Sequence, residues 1–267
     1  MPRENRAFLE NTIYEIVALQ IFPGLLHSLT LQADAPPPDG VDVLTATSKD
    51  GSPVTVWRMR GVGDTKRVAL IFHGNADRLH SFVRVQRWLA ESGITSYSME
   101  YRGYRGLASG WPSERGLYED GEAAFELMCR EEGIPSDQAI VLGSSIGTGI
   151  ASHVAATAHP KALVLLSPYT SLKDLVGEMP FFGYLSPFLW YRFPTLDNIG
   201  ALRTSCVIAA HGHRDTVIPF QHSVRLRGAY QGASTFTLLE SADAGHNDIL
   251  MFTQSQIPTA ISDCFSR

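Results

Sequence analysis

The chain is short of several features that would point to particular function classes. Only three cysteines, Cys129, Cys206 and Cys264, occur in 267 residues, and none stands in a C-x-x-C or His/Cys metal spacing. That usage excludes a zinc ribbon and a small disulfide scaffold. It predicts reduced, mostly buried thiols in a cytoplasmic protein. The phosphate-loop order G-x-x-x-x-G-K-S/T is missing, and so is G-x-G-x-x-G, which argues against a nucleotide site. Charged residues make up 18% and the net charge is −5, so the basic face that nucleic acid requires is not to be expected. No internal repeat or low-complexity stretch is present.

Long apolar runs are also lacking. Residues 12–31 are rich in Ile, Leu, Val and Phe, but Glu15, Gln20, Pro23 and His27 interrupt them. A spanning helix needs about 20 mostly apolar residues. The opening Met1-Pro2-Arg3-Glu4-Asn5-Arg6 leads into no apolar core with a small-residue cleavage site, so no signal peptide is expected. Residues 1–40 therefore read as a helical segment ending in the stiff connector Pro36-Pro37-Pro38-Asp39-Gly40. Phe8, Leu9, Ile13, Ile16 and Val17 line one face of that helix. Packing against the body is the favoured role. Peripheral membrane contact is the alternative, weakened by the absence of dense flanking Lys or Arg.

With 44% hydrophobic residues the chain can build a sizeable core. From residue 41 to 267 it alternates between strand and helix signals. Strands at about 41–47 and 54–60 flank the turn Lys49-Asp50-Gly51-Ser52, and further strands fall at 68–72, 95–99, 139–143, 162–166, 207–210 and 236–239. Ser113 stands where it can cap the helix carrying Leu117, Ala124, Phe125 and Met128. This rhythm predicts a mostly parallel sheet covered by helices on both faces, with its site at the strands' C-terminal edge.

The most informative stretch is Gly143-Ser144-Ser145-Ile146-Gly147, of the form G-x-S-x-G. The apolar run Ala139-Ile140-Val141-Leu142 leads in, and a small-residue helix pattern leads out. That is the setting of a nucleophile elbow, a sharp strand-to-helix turn that lifts one hydroxyl clear of the backbone. Glycines belong at its crowded flanks. The helix N-terminus aims free N–H groups at the same spot. An active serine needs a base and a group to orient that base, in the chain order Ser, Asp or Glu, His. Asp215 follows the strand Val207-Ile208-Ala209-Ala210, and His246 follows the strand Phe236-Thr237-Leu238-Leu239. Asp243 and Asp248 flank His246 too closely and suit local Asx-type turns. The oxyanion donors are assigned to the N–H groups of Ile146 and of Asn75, which follows the strand Val68-Ala69-Leu70-Ile71-Phe72, with Ala76 as the next choice after Asn75. His73 reads as a structural residue of that loop.

Residues 168–200 break the alternation. Phe181, Phe182, Tyr184, Phe188, Trp190, Tyr191 and Phe193 are interleaved there with Pro180, Pro187 and Pro194. Such an insertion suits an aromatic cap, and Phe181, Phe182 and Trp190 are candidates to line an apolar acyl pocket. Tyr101, in Tyr101-Arg102-Gly103-Tyr104-Arg105-Gly106, is a candidate on the substrate side, although the loop also reads as a turn held by arginine packing.

These segments together resemble the α/β-hydrolase superfamily along nearly all of the chain after residue 40. His73-Gly74-Asn75-Ala76, Tyr101-Arg102-Gly103-Tyr104, Pro112-Ser113-Glu114, the elbow, Ser167-Pro168, Asp197, the stretch from His211 to Pro219 and Gly245-His246-Asn247-Asp248 are similar to one subgroup. It includes membrane-associated depalmitoylases and lysophospholipid or monoacylglycerol lipases of eukaryotes, with bacterial relatives. The resemblance implies an α/β-hydrolase fold with a small cap over the site and a serine hydrolase with the triad Ser145, Asp215 and His246. No cysteine precedes Cys129, so the resemblance is not expected to extend to the acylated cysteine-rich N-terminus of the depalmitoylases.

The expectation is thus an enzyme that cleaves an ester or acyl-thioester with an apolar, lipid-like acyl group, without metal or cofactor and without a nucleic-acid partner. A peptidase or carbon–carbon bond hydrolase on the same triad, and a non-catalytic binding protein, are the alternatives.

Overall fold

The computed structural model describes residues 36–63, 66–75, 77–104, 113–179, 183–203 and 205–266. Its sheet starts with a hairpin. Val41–Thr47 (β1) and Pro53–Met59 (β2) pair antiparallel, from Val41 opposite Met59 to Thr47 opposite Pro53. The turn closes because Asp50 accepts the Ser52 N–H at 2.9 Å and Gly51 supplies a φ of +86°. The remaining strands are Arg67–Phe72 (β3), Ile94–Met99 (β4), Ala139–Ser144 (β5), Ala162–Leu166 (β6), Cys206–Gly212 (β7) and Phe236–Ser241 (β8). The eight-stranded sheet runs β1-β2-β4-β3-β5-β6-β7-β8, parallel from β4 to β8.

The central strands are apolar on both faces because both are covered. In β3, Val68, Leu70 and Phe72 join the core of one side while Ala69 and Ile71 join that of the other. The first side is closed by Glu114–Glu132 (α2), Gly147–Ala158 (α3), Thr195–Ala201 (α5) and Gln221–Ala229 (α6). Leu79–Glu91 (α1), Ile249–Thr253 (α7) and Gln256–Phe265 (α8) close the second. Leu172–Glu178 (α4) lies between β6 and α5, in the insertion that the aromatic composition marks out. The expected cap of α2 forms, with Ser113 Oγ accepting the Gly116 N–H at 3.0 Å, and Gly133 ends the helix at φ +62°.

Two sequence readings need correction. Cys206 and Cys264 are not free thiols but are joined in a disulfide, Cα to Cα 5.9 Å. They stand 58 positions apart. The contact between the first residue of β7 and the last helix is tertiary, and spacing alone does not reveal it. Cys129 is free. The second correction concerns Tyr101, whose side chain is 1% exposed. Its hydroxyl donates to the His73 carbonyl at 2.7 Å and its ring stacks on His73 at 3.9 Å. It supports the loop after β3 from beneath and presents nothing to a ligand. Its neighbour Arg102 joins α2 to the hairpin, binding Asp120 through two donors, Asp50 at 2.8 Å and Ser48 Oγ at 3.2 Å. No helix of the described residues is long and apolar enough to cross a membrane.

Candidate active site

The turn from β5 to α3 is too crowded for side chains on either flank of Ser145. A Cβ on Gly143 would lie 2.5 Å from the Gly147 carbonyl oxygen, and one on Gly147 would lie 2.4 Å from that of Phe72. Ser145 itself takes φ +51°, an uncommon conformation for a non-glycine residue. Its N–H is tied to the Leu166 carbonyl at 2.9 Å, and its carbonyl accepts both the N–H (2.9 Å) and the hydroxyl (2.6 Å) of Thr148. The backbone is thus held on both sides while the hydroxyl points away from the helix.

His246 meets that hydroxyl, with Nε2 3.0 Å from Ser145 Oγ. On the far side of the ring, Nδ1–H donates to Asp215 Oδ2 at 2.8 Å. With Nδ1 protonated, Nε2 is left to accept the serine proton. Asp215 Oδ1 accepts the N–H groups of Val217 at 2.9 Å and Ile218 at 2.8 Å. Burial raises the carboxyl's pKa, but hydrogen bonds from His211, His246 and the Ile218 amide more than offset this and hold it well below the usual carboxylate range.

The loops bearing Asp215 and His246 are fastened to each other. The His213 N–H donates to the Ser241 carbonyl at 2.8 Å, and the Arg214 N–H donates to the Ala244 carbonyl at 3.0 Å. Gly212 permits this approach, since a Cβ there would lie 2.0 Å from the Ala244 oxygen. Asp248 accepts the Gly245 N–H at 2.7 Å, and Asp243 pairs with Arg214 at 2.8 Å. Neither carboxylate takes the place of Asp215.

His211 was not singled out from sequence. It is fully buried, with Nε2 2.9 Å from the Ile218 carbonyl and 3.3 Å from Asp215 Oδ2, and Nδ1 2.7 Å from Ser223 Oγ. It braces the turn that carries the carboxylate. Its sequence signal is its place at the end of the buried β7 run, four residues before Asp215.

The loop after β3 passes beside Ser145. A Cβ on Gly74 would lie 3.7 Å from Ser145 Cβ. Asn75 follows there, its side-chain oxygen accepting from the Tyr104 hydroxyl at 3.1 Å, and Ile146 opens α3 on the other side of Ser145. His73 is buried beneath, Nε2 3.2 Å from Glu100 Oε1. Tyr169 and Phe193 pack on the first turn of α3, where a Cβ on Gly149 would lie 2.3 Å from the Tyr169 hydroxyl and 2.8 Å from Phe193 Cβ. Trp190 is 67% exposed and belongs to no enclosed wall. Phe181, Phe182, Ala76 and the N-terminal helix read from sequence lie outside the described residues. No group of three or more His, Cys, Asp or Glu among the described residues is arranged to hold a metal ion.

Residues 63–216 match the family described as "Serine aminopeptidase, S33". The human alpha/beta hydrolase domain-containing protein 17B is 32% identical over 212 residues, which cover 79% of this chain and 70% of that protein. The Danio rerio lysophosphatidylserine lipase ABHD12 is 28% identical over 234 residues, covering 78% of this chain and 60% of that one. In fold, the Pyrococcus furiosus esterase Pf2001 superposes with a TM-score of 0.67 at 16% identity, over 89% of this chain and 95% of its own. The 2,6-dihydroxy-pseudo-oxynicotine hydrolase gives a TM-score of 0.70 at 14% identity, over 84% and 68%. From the family match and the human relative, this chain belongs to the α/β-hydrolase superfamily and, within it, to the serine aminopeptidase, S33 family of hydrolases.

Proposed function

We propose that this hydrolase is a serine enzyme that cleaves carboxylic ester or acyl-thioester bonds with an apolar acyl group, through an acyl-enzyme. The observation that carries the reading is the continuous relay from Asp215 through His246 to Ser145, with contacts of 2.8 and 3.0 Å. In the first half-reaction Ser145 Oγ attacks the carbonyl carbon while His246 Nε2 takes its proton. Asp215 holds the ring with Nδ1 protonated and stabilises the imidazolium. The amides of Ile146 and Asn75 receive the developing oxyanion, an interaction worth about 2.7–4 kcal/mol per donor. His246 then returns the proton to the departing alcohol or thiol. In the second half-reaction it takes a proton from water, hydroxide adds to the acyl carbon, and Ser145 leaves reprotonated.

The apolar acyl preference rests on the aromatic content of the insertion between β6 and β7. Labelling with a fluorophosphonate probe tests the nucleophile: wild type reacts and Ser145→Ala does not. Persistent labelling of the variant, or none of the wild type, rejects the assignment. A second reading, peptide or aminoacyl-amide hydrolysis, draws on the description of the matched family. A panel of esters of increasing chain length, thioesters and aminoacyl amides separates the two, and the ester reading expects the highest kcat/KM among medium-chain esters or thioesters.

A further inference from the structure

The space above Gly74 is taken by a carboxylate. A Cβ on Gly74 would lie 2.8 Å from Asp77 Oδ2 and 3.7 Å from Ser145 Cβ, so the acid and Ser145 both border the same glycine of the β3 loop. Its orientation is fixed from two sides. The Ser81 hydroxyl donates to Asp77 Oδ1 at 3.0 Å, and the Asp77 N–H donates to the Gly74 carbonyl at 3.3 Å. Oδ1 is thereby engaged by Ser81, while Oδ2 lies against Gly74, the residue that also borders Ser145. No basic side chain among the described residues forms an ion pair with it, in contrast to Asp50, Asp120 and Asp243, which all pair with arginines. Asp215, the other carboxylate at the site, has both oxygens engaged by His246 and backbone amides. Glu100 adds a buried carboxylate behind His73.

The geometry points to Asp77 as a specificity residue, on the premise that Ser145 is the nucleophile: its carboxylate selects esters that are cationic or neutral beside the scissile carbonyl and rejects those that are anionic there. For a substrate charge a few ångströms from this partly exposed carboxylate, the Coulomb energy between unit charges amounts to a discrimination of about ten-fold for each sign, weakening as salt is added.

Three butyrate esters of similar shape make the test, with choline, 3,3-dimethylbutanol and 3-hydroxypropanoate as their alcohols. Wild type and Asp77→Asn are compared by the ratio of kcat/KM between the cationic and anionic esters, so that intrinsic leaving-group differences cancel. Asparagine retains an acceptor for Ser81. The expected result is a cation-to-anion ratio lower by about 100-fold in Asp77→Asn, since the ten-fold effects on the two signs multiply, with kcat/KM for the neutral ester changed by less than about three-fold. Asp77→Glu, which keeps the charge, should keep most of the preference. Turnover of all three esters with the same ratio in wild type and Asp77→Asn overturns this inference and leaves the serine-hydrolase reading intact. No turnover of any ester, together with no fluorophosphonate labelling, overturns both.

Discussion

Replacing Asp215 with asparagine forces the amide to choose an orientation. Two backbone N–H groups, from Val217 and Ile218, point at one side of the native carboxylate, at 2.9 and 2.8 Å. The amide oxygen must stay there, because turning the NH2 toward two donors would leave three polar groups unsatisfied. The NH2 then faces His246, where the carboxylate accepted from Nδ1 at 2.8 Å. A donor at that position forces His246 into the other tautomer, with its proton on Nε2. The ring then offers Ser145 a proton where it formerly accepted one, over the same 3.0 Å contact. On the proposed mechanism, general-base catalysis is then lost while the geometry remains. The expected fall in kcat is about 10,000-fold, the size seen when a triad aspartate elsewhere becomes asparagine, or about 5 kcal/mol of transition-state stabilisation. Loss of the charge costs fold stability only about 1–3 kcal/mol. Steady-state hydrolysis of p-nitrophenyl butyrate measures the first quantity and urea unfolding the second. An asparagine variant within about ten-fold of wild type in kcat, beside an inactive Ser145→Ala, would refute this account of the acid.

Three further outcomes are expected. Gly212→Ala drives a methyl group into the Ala244 carbonyl, which lies 2.0 Å from the Cβ position, and so separates the acid and base loops; activity should fall by about 100-fold or more while circular dichroism stays native, and near-normal turnover would refute the role given to that approach. His222, in the first turn of α6, is buried against the Thr170 turn, and burial followed by the charge of Arg225 pushes its imidazole down from the usual histidine range to about 4. Between that value and the unfolded one of about 6.5 the unfolded chain binds a proton that the native chain refuses, so stability rises with pH by up to about 3 kcal/mol, and His222→Gln should flatten the slope in urea melts between about pH 4 and about pH 6.5. Reduction of the Cys206–Cys264 bridge, which closes a separation of 58 residues, should lower stability by about 4 kcal/mol, measured by thermal unfolding with and without dithiothreitol against Cys206→Ser.

The parts legible in the sequence were those written locally. Apolar runs bounded by turn residues located the strands, because strands covered on both faces have no polar side to alternate with. The elbow could be read because Gly143 and Gly147 are required by backbone crowding at two specific points. Asp215 and His246 could be nominated because each follows a strand at the same sheet edge. Contacts between distant segments were not legible. Nothing near Cys206 indicates that α8 will bring Cys264 against it. Tyr101 has the composition of a binding residue, and only its packing on His73 shows it to be a prop. His211 was hidden because a histidine ending a buried strand has no local mark separating support from catalysis. Asp77 sits three positions beyond Gly74, and its reach over that glycine depends on a turn the sequence does not announce.

The two hooks between the β7 and β8 corners, His213 to Ser241 and Arg214 to Ala244, make the carboxylate and the imidazole a single rigid passenger. Thermal breathing of that corner should move both together and leave their mutual bond intact. The weaker joint is the seam facing Ser145, spanned by the hydroxyl-to-ring contact at His246 and by the Ser167 hydroxyl donating to the His246 carbonyl at 3.4 Å. Heat should therefore silence turnover by widening that seam before the strands separate, and the loss should reverse on cooling.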